Sequence, residues 1–396
     1  MLKPHNDVVD PEVSIVVPAL NESLNIREFV EWALQGLSTI PVPGEVVIVD
    51  SSTDETPEIA LAAGARVLRV PKRGLGRAYI DAIPHVRGRL VIMGDADCTY
   101  DFRDLRPFYE EYQDGAEYIM GSRFKGSIER GSMPPHHRYF GTPITTWILN
   151  RIFKSHFSDI HCGMRALTKD LLVRMNLQSQ SWEYASEMVI KSVQMDARIS
   201  EVPVTFLKDR NGRVSHHRRE GWASPFKAAW INLRAMFSNG VDSFLVMPGA
   251  LLMFLGGLLL FPLTIGDVSF GELVFSGTWQ MFGAFTWVLG VSLYLLGANS
   301  RVLFDYTGRR SRLADRLFRF NRSMLTASLI LIAGVGLTLP LVVQYFSSGL
   351  ILDAHDVWRQ RLATTGLATV VSSGLLVVNT FLADALKGAL PRMRRE

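Results

Sequence analysis

Cysteine is almost missing: Cys98 and Cys162 are the only two among 396 residues. They are too few for a disulfide framework and lack the C-x-x-C spacing of a structural zinc site, which points to a reducing compartment. The two glycine-rich phosphate fingerprints are absent as well. Neither G-x-G-x-x-G nor G-x-x-x-x-G-K-[ST] occurs, so a dinucleotide-binding fold and a P-loop have no support. The opening stretch MLKPHNDVVDPEVS contains no apolar signal-peptide core. Charge is scarce, at 20% of residues against 48% hydrophobic ones, which excludes a disordered chain. It is also unevenly placed. Residues 1–240 hold 29 Lys+Arg and 29 Asp+Glu, whereas 241–396 hold 13 and 9. The net +4 therefore comes from the apolar second part, which argues for a membrane surface and against nucleic acid as the partner.

That second part contains four uncharged stretches, 244–265, 279–298, 324–346 and 364–383. Each has about 20 residues, enough at about 1.5 Å per residue to cross a hydrocarbon core of about 30 Å. Soluble bundle helices would each need a polar stripe, so 241–396 is predicted to be an all-α, four-span transmembrane domain. The connection 299–322 carries seven arginines and the tail adds Lys387, Arg392, Arg394 and Arg395, while 266–278 has no Lys or Arg. The positive-inside rule then places the N-terminal part and both termini in the cytoplasm, in an integral protein of the cytoplasmic membrane. Between the parts, 221–240 mixes Trp, Phe, Lys and Arg. It is expected to be an interfacial amphipathic helix, or equally a packing helix of the first domain.

Residues 1–220 are expected to form the first domain. Short apolar runs at 13–17, 46–50, 66–70, 90–94, 118–121 and 199–206 alternate there with amphipathic stretches, the pattern of an α/β fold with a mostly parallel sheet. Asn21 is expected to start one helix and Asp54 to cap another. Ligands of such sheets bind beyond the carboxyl ends of the strands, where this chain reads PALNES, DSSTDET, PKRGLGRA and GDADCTYD. Asp95-Ala96-Asp97 follows a buried strand and could bring two carboxylates to one hard divalent cation. Taken alone, a turn is the commoner reason for such a pair.

The neighbouring motifs change that balance. Val16-Val17-Pro18-Ala19-Leu20-Asn21-Glu22, Val49-Asp50-Ser51-Ser52-Thr53-Asp54, Arg73-Gly74-Leu75-Gly76-Arg77-Ala78, Asp95-Ala96-Asp97, Gly121-Ser122-Arg123, Asp159, Cys162-Gly163-Met164-Arg165, Glu187 and Asp209 to Ser215 occur in one order. Over about residues 13–220 the chain resembles family 2 glycosyltransferases of GT-A fold, and within them the polyprenyl-phosphate (dolichyl-phosphate type) sugar synthases. The resemblance implies a nucleotide-sugar site bordered by Pro18, Ala19, Asn21 and Glu22. Asp50 would meet the base, Arg73, Gly74 and Gly76 would allow close backbone approach, and Asp95 and Ala96 would lie by the ribose. Asp95 and Asp97 would bind Mg²⁺ or Mn²⁺, with Thr99 standing where a third ligand could be. Asp95, Asp97, Arg123, Asp159, Arg165 and Arg210 would form the catalytic set. Arg123, Arg165, Glu187, Arg213 and Ser215 would face the acceptor phosphate, and Asp159 would serve as a base or, preferably, orient an arginine.

The activity so implied is metal-assisted, inverting transfer of a hexose, from UDP-glucose or GDP-mannose, to a membrane polyprenyl phosphate. A phosphate monoester has its second pKa near about 6, so this acceptor is already a nucleophile and no strong base is required. Two rivals stand beside this reading. A processive polysaccharide synthase would share the nucleotide-binding half, but the chain has no Q-x-x-R-W element. A membrane module that translocates or scaffolds lipid-linked sugars would be marked by charge inside the spans, and there is none. Of the remaining candidates, His136, His137, His161, His216 and His217 are expected to be solvated, and Cys98 to be a small buried filler. Oligomeric state is not encoded legibly, and a homo-oligomer is compatible with everything above.

Overall fold

The computed structural model describes residues 1–209, 230, 233–234, 236–237, 240–303, 319–351 and 355–393. The chain divides into two compact units, Met1–Ser238 and Asn239–Glu396. The expected interfacial helix at 221–240 lies mostly outside the described residues, as do Arg210, Arg213, Ser215, His216 and His217.

The first unit is a seven-stranded mixed sheet with helices packed on it. Its strands are β1 (Val13–Ala19), β2 (Gly44–Asp50), β3 (Arg66–Arg69), β4 (Leu90–Met93), β5 (Tyr118–Ile128), β6 (Arg165–Thr168) and β7 (Ile199–Phe206), in the order β3-β2-β1-β4-β6-β5-β7. Every strand runs the same way except β6, which is antiparallel to both neighbours. The central strands are unbroken apolar runs because both sheet faces are covered: all four residues of β4 and six of the seven in β1 are buried. The helices are α1 (Ile26–Ser38), α2 (Thr56–Ala62), α3 (Leu75–Ala82), α4 (Arg106–Gln113), α5 (Thr142–Phe153), α6 (Lys169–Met175) and α7 (Tyr184–Gln194). Helix α1 buries Ile26, Phe29, Val30, Ala33 and Leu37, the i, i+3, i+4, i+7, i+11 spacing of one helical face.

Two local features depart from the sequence reading. Asn21 does not start α1, which begins five residues later. Its backbone is left-handed (φ 53°), and its side-chain Oδ1 accepts from the Thr53 N–H at 2.9 Å. Asn tolerates that conformation better than other non-glycine residues. The second departure is β6, which no apolar run in the sequence marks as a strand. It is four residues long, starts on a charged side chain and passes at once into α6, whose N-terminus is capped by the Thr168 hydroxyl accepting from Leu171 N–H at 3.2 Å. Asp54 meets its expectation, since its Oδ1 accepts from the Thr56 N–H at the start of α2.

Among the described residues the second unit contains four helices long and apolar enough to cross a membrane: Asp242–Ile265, Gly277–Arg301, Phe320–Ser347 and Val357–Leu386. We label the corresponding helices α8 (Met247–Ile265), α9 (Gly277–Leu303), α10 (Phe320–Ser347) and α11 (Val357–Met393). Helices α8 and α9 meet through glycines spaced by seven, Gly249 and Gly256 against Gly283, Gly290 and Gly297. A Cβ on Gly283 would lie 2.8 Å from the Leu260 amide nitrogen, and one on Gly249 would lie 2.6 Å from that of Tyr294. In lipid no hydrophobic force drives helices together, so such backbone contact is what holds the pair. Gly283→Leu should therefore destabilise the bundle by about 1–3 kcal/mol, the usual cost of overpacking. Gly336→Leu on α10, where no atom lies within 4 Å of the added Cβ, should leave thermal stability in detergent unchanged.

Candidate active site

Because six strands run together and β6 runs against them, one edge of the sheet collects the carboxyl ends of β1, β2, β4 and β5 and the amino end of β6. The ends of β1, β2 and β4 supply Pro18 to Glu22, Asp50 and Asp95 to Asp97, and Arg123 lies midway along β5, past its pairing with β6. The segment entering β6 supplies Asp159 to Arg165. Residues 150 apart in sequence are thus brought to one edge by topology, beside the point where strand order reverses.

The β1 and β2 ends are laced together. Asn21 N–H donates to Ser52 Oγ at 2.7 Å, and Glu22 N–H donates to Thr56 Oγ1 at 2.9 Å. Beneath them Asp50 is fully buried, and neither carboxylate oxygen accepts a well-formed hydrogen bond. The nearest described cation is Arg69, whose Nε lies 3.1 Å from Oδ2. Burial pushes the Asp50 carboxyl above its ordinary value. Ser52 and Arg69 offset the cost of that burial only in part, and a ligand bringing N–H groups would offset more of it.

The loop after β4 is fixed from three sides. Asp97 is 7% exposed, and its Oδ1 accepts from the N–H (3.0 Å) and hydroxyl (2.6 Å) of Thr99. Cys98 between them is buried, as expected, and takes a left-handed backbone (φ 58°), a strain of the kind that accumulates at functional sites. Tyr100 forms a bridge with Phe206 of β7, and its hydroxyl accepts from Gly163 N–H at 2.8 Å. Gly163 is required there: a Cβ on it would lie 2.5 Å from Asp95 Oδ2 and fill the space of that carboxylate. The donor set is two carboxylates, all oxygen, which suits Mg²⁺ or Mn²⁺ and not a thiolate-preferring metal. Among the described residues no cluster of three His, Cys, Asp or Glu could hold a metal. Thr99, the position of a possible third ligand, directs its hydroxyl to Asp97 Oδ1.

Arg123 of β5 and Asp159 form a buried, bidentate pair. Arg123 Nε donates to Oδ2 at 2.6 Å and Nη2 to Oδ1 at 2.9 Å, with Asp159 wholly inaccessible. The guanidinium also sits over the Phe206 ring, 5.3 Å from its centroid. Asp159 thus takes the arginine-orienting role. Its Oδ1 also accepts from His161 N–H at 3.2 Å. His161, expected at the surface, lies instead with Nε2 2.8 Å from Thr145 Oγ1, and burial pushes its imidazole down to about 4. The unfolded chain therefore binds a proton below about 6.5 that the folded chain resists until about 4, so stability should fall as pH drops through that window. Hydrogen exchange of the 157–165 segment in the intact chain should report the loss, and His161→Gln should flatten its slope.

Two expected phosphate ligands are corrected. Arg165 is 1% exposed because it is the first residue of β6, paired with Met93 on one side and Met120 on the other. Its guanidinium donates to the Cys162 carbonyl (2.5 Å) and the Ala185 carbonyl (3.2 Å) and lies against Tyr184. As placed, it holds β6 to α7. Glu187, expected at the acceptor, is 5% exposed. Its carboxylate pairs with Lys191 at 2.6 Å and accepts from the N–H groups of Gln178 and Ser179. Desolvation works against that carboxylate, but Lys191 and these donors outweigh it and hold its pKa below the ordinary value. Through that loop it reaches the expected close-approach segment, since Arg77 N–H donates to the Gln180 carbonyl at 3.0 Å. Gly74 is left-handed (φ 115°) and packs against the same loop, while Arg73 is half-exposed and paired with Asp81 at 2.7 Å. Sequence reasoning assigned no role to Ser52, Tyr79 or Tyr100. Tyr79 donates to the Gly94 carbonyl at 2.8 Å from the far side of α3, which no spacing in the sequence signals.

The chain is similar to several known proteins. Residues 14–175 match the model of the glycosyl transferase family 2 family. The low-salt glycan biosynthesis hexosyltransferase Agl6 of Haloferax volcanii is 35% identical over 386 residues, covering 95% of this chain and 91% of that protein. A dolichyl-phosphate hexose transferase of the same organism is 30% identical over 170 residues, 43% of this chain and 72% of its own. Among solved structures, glucosyl-3-phosphoglycerate synthase from Mycobacterium tuberculosis with Mn²⁺, UDP and product aligns with TM-score 0.43 and 19% identity over 59% of this chain and 80% of that one. With the strand-end site in place and near-full-length similarity to a hexosyltransferase, the chain belongs to glycosyltransferase family 2.

Proposed function

We propose that this glycosyltransferase moves a hexose from a nucleoside-diphosphate sugar, UDP-glucose or GDP-mannose, onto a polyprenyl phosphate held in the membrane. One observation carries the reading: a single chain joins an acidic strand-end site to four helices long enough to span a bilayer. A water-soluble acceptor would need no such spans. The first unit and both termini lie in the cytoplasm in this proposal, on the strength of the arginines between α9 and α10.

In this mechanism Asp50 receives N–H donors of the nucleobase, while the Asn21–Ser52 and Glu22–Thr56 links keep the two flanking loops from parting. Asp95 and Asp97 would hold Mg²⁺ or Mn²⁺, which when bound neutralises charge on the departing diphosphate. Arg123, oriented by Asp159, meets phosphate oxygens with a planar fork. The dianionic lipid phosphate attacks the anomeric carbon directly. Its oxygen forms the new bond as the bond to the nucleoside diphosphate breaks, with inversion and no proton to remove. Arg213 and Ser215 remain proposed acceptor ligands, and Arg210 a proposed member of the catalytic set.

The test is to offer purified full-length protein a panel of nucleotide sugars with one polyprenyl phosphate and to identify the lipid product by mass. A single hexose on phosphate is expected, and its formation should stop in excess EDTA. A polymeric product, or no lipid product with any donor, would overturn the proposal.

A further inference from the structure

Arg123 stands where the sheet stops guiding β5. That strand pairs regularly with β7 as far as Ser122 opposite Pro203, and pairing resumes only at Ser127 opposite Thr205. Residues 123–126 of β5 thus face Val204 alone, and Pro203 has no N–H to give the ladder. A side chain at such an irregularity takes its direction from other contacts. Here they come from a carboxylate outside the motifs that mark the site. Glu201 of β7 has a side chain only 7% exposed. Its Oε1 accepts from the Ser158 N–H at 2.7 Å and the Ser158 hydroxyl at 3.0 Å, and its Oε2 pairs with Lys125 Nζ at 2.7 Å. Ser158 Oγ in turn lies 2.6 Å from Ser122 Oγ, which accepts from the Lys125 N–H at 3.1 Å. A carboxylate only accepts, so the Ser158 proton is committed to Glu201 and Ser122 donates to Ser158.

We propose that Glu201 is a positioning residue of the transfer reaction, acting through Ser158 and Ser122 to set where the Arg123–Asp159 pair stands. The two serines immediately precede the two members of that pair, so one hydroxyl contact fixes the spacing of both. Asp159 takes up Nε and one N–H of Nη2, which leaves Nη1 and the other N–H of Nη2 to turn toward a ligand. A shift of the segment entering β6 would swing those donors, and a two-point contact with phosphate tolerates little misplacement. The proposal rests on the reading that Arg123 meets phosphate oxygens.

Turnover and hydrogen exchange of the full-length protein test this together. Glu201→Ala, which leaves the Ser158 N–H and hydroxyl without their acceptor, should lower turnover about 30-fold. Glu201→Gln keeps an oxygen for Ser158 and gives up only the ion pair with Lys125, whose side chain is half-exposed, so it should stay within about threefold of wild type. In an Arg123→Lys background the alanine penalty should shrink to about twofold, because its route runs through a fork that is no longer there. A plain strut would cost the same in both backgrounds. Exchange needs no turnover. The Arg123 and His161 N–H groups both donate to Asp159, so in Glu201→Ala the stretches 121–125 and 157–162 should exchange about tenfold faster while 13–19 keeps its protection. Ser158→Ala, which removes the link to Ser122 and keeps the N–H bond to Glu201, repeats both measurements if Glu201→Ala folds poorly. Unchanged exchange in both stretches, or an alanine penalty repeated in full beside Arg123→Lys, would overturn the proposal. A wild-type protein that formed no lipid product would sink the transferase reading, and exchange would still judge this one.

Discussion

Asp97→Asn should lower turnover by about a thousandfold, equivalent to about 4 kcal/mol of transition-state stabilisation, while leaving the fold intact. The substitution keeps the shape of the side chain and an oxygen able to accept the two Thr99 hydrogen bonds, so the turn after β4 has no reason to open. What it removes is one of two negative charges at the end of β4. Two carboxylates, among described residues that offer no third such ligand, leave little redundancy for holding a divalent cation. Steady-state turnover at saturating donor and acceptor, set beside thermal stability in detergent, separates the two effects. Retention of more than a tenth of wild-type turnover, or full wild-type activity in excess EDTA, would end the metal role.

The ease of reading each part from sequence follows from what each depends on. The four spans are a matter of composition and length, and all four stretches fall within helices of the structure. Of the six legible strands, β1, β2 and β4 read most plainly, because a strand covered on both faces must be apolar almost throughout. The seventh was not legible, since β6 is four residues long and its buried first residue is an arginine that stays inside by donating to two carbonyls. That one hidden strand also explains why Arg165 reads as a phosphate ligand. The family pattern marks it as special, but only the register against Met93 and Met120 reveals that it sits on an inner strand with its side chain turned to α7. Glu187 misleads for a similar reason. A carboxylate one turn before Lys191 has the same spacing whether it faces solvent, substrate or the backbone of residues 178–179. The acidic strand ends were legible as a group because topology, not fine geometry, brings them together.

The buried pair Arg123–Asp159 should separate stability from catalysis. Asp159→Ala leaves a guanidinium that is 9% exposed on its side chain without its carboxylate, and removing one partner of a buried pair costs about 3–5 kcal/mol. Both thermal stability and turnover should therefore fall. A loss of activity in that variant alone says nothing about whether Arg123 touches substrate. The double replacement Arg123→Met/Asp159→Leu does, because exchanging both partners for apolar side chains of similar size is often neutral or stabilising. We expect it to restore most of the lost stability, aided by the Phe206 ring already packed on the arginine. Turnover should stay depressed by at least about 100-fold, since a thioether cannot supply the charge-assisted hydrogen bonds to phosphate. Arg123→Lys gives the intermediate case, keeping charge but losing the fork held by both Asp159 oxygens. If the double variant regained wild-type kinetics along with its stability, the pair would be only a strut between β5 and the segment entering β6. The arginine that meets the phosphate would then have to be sought elsewhere in the chain.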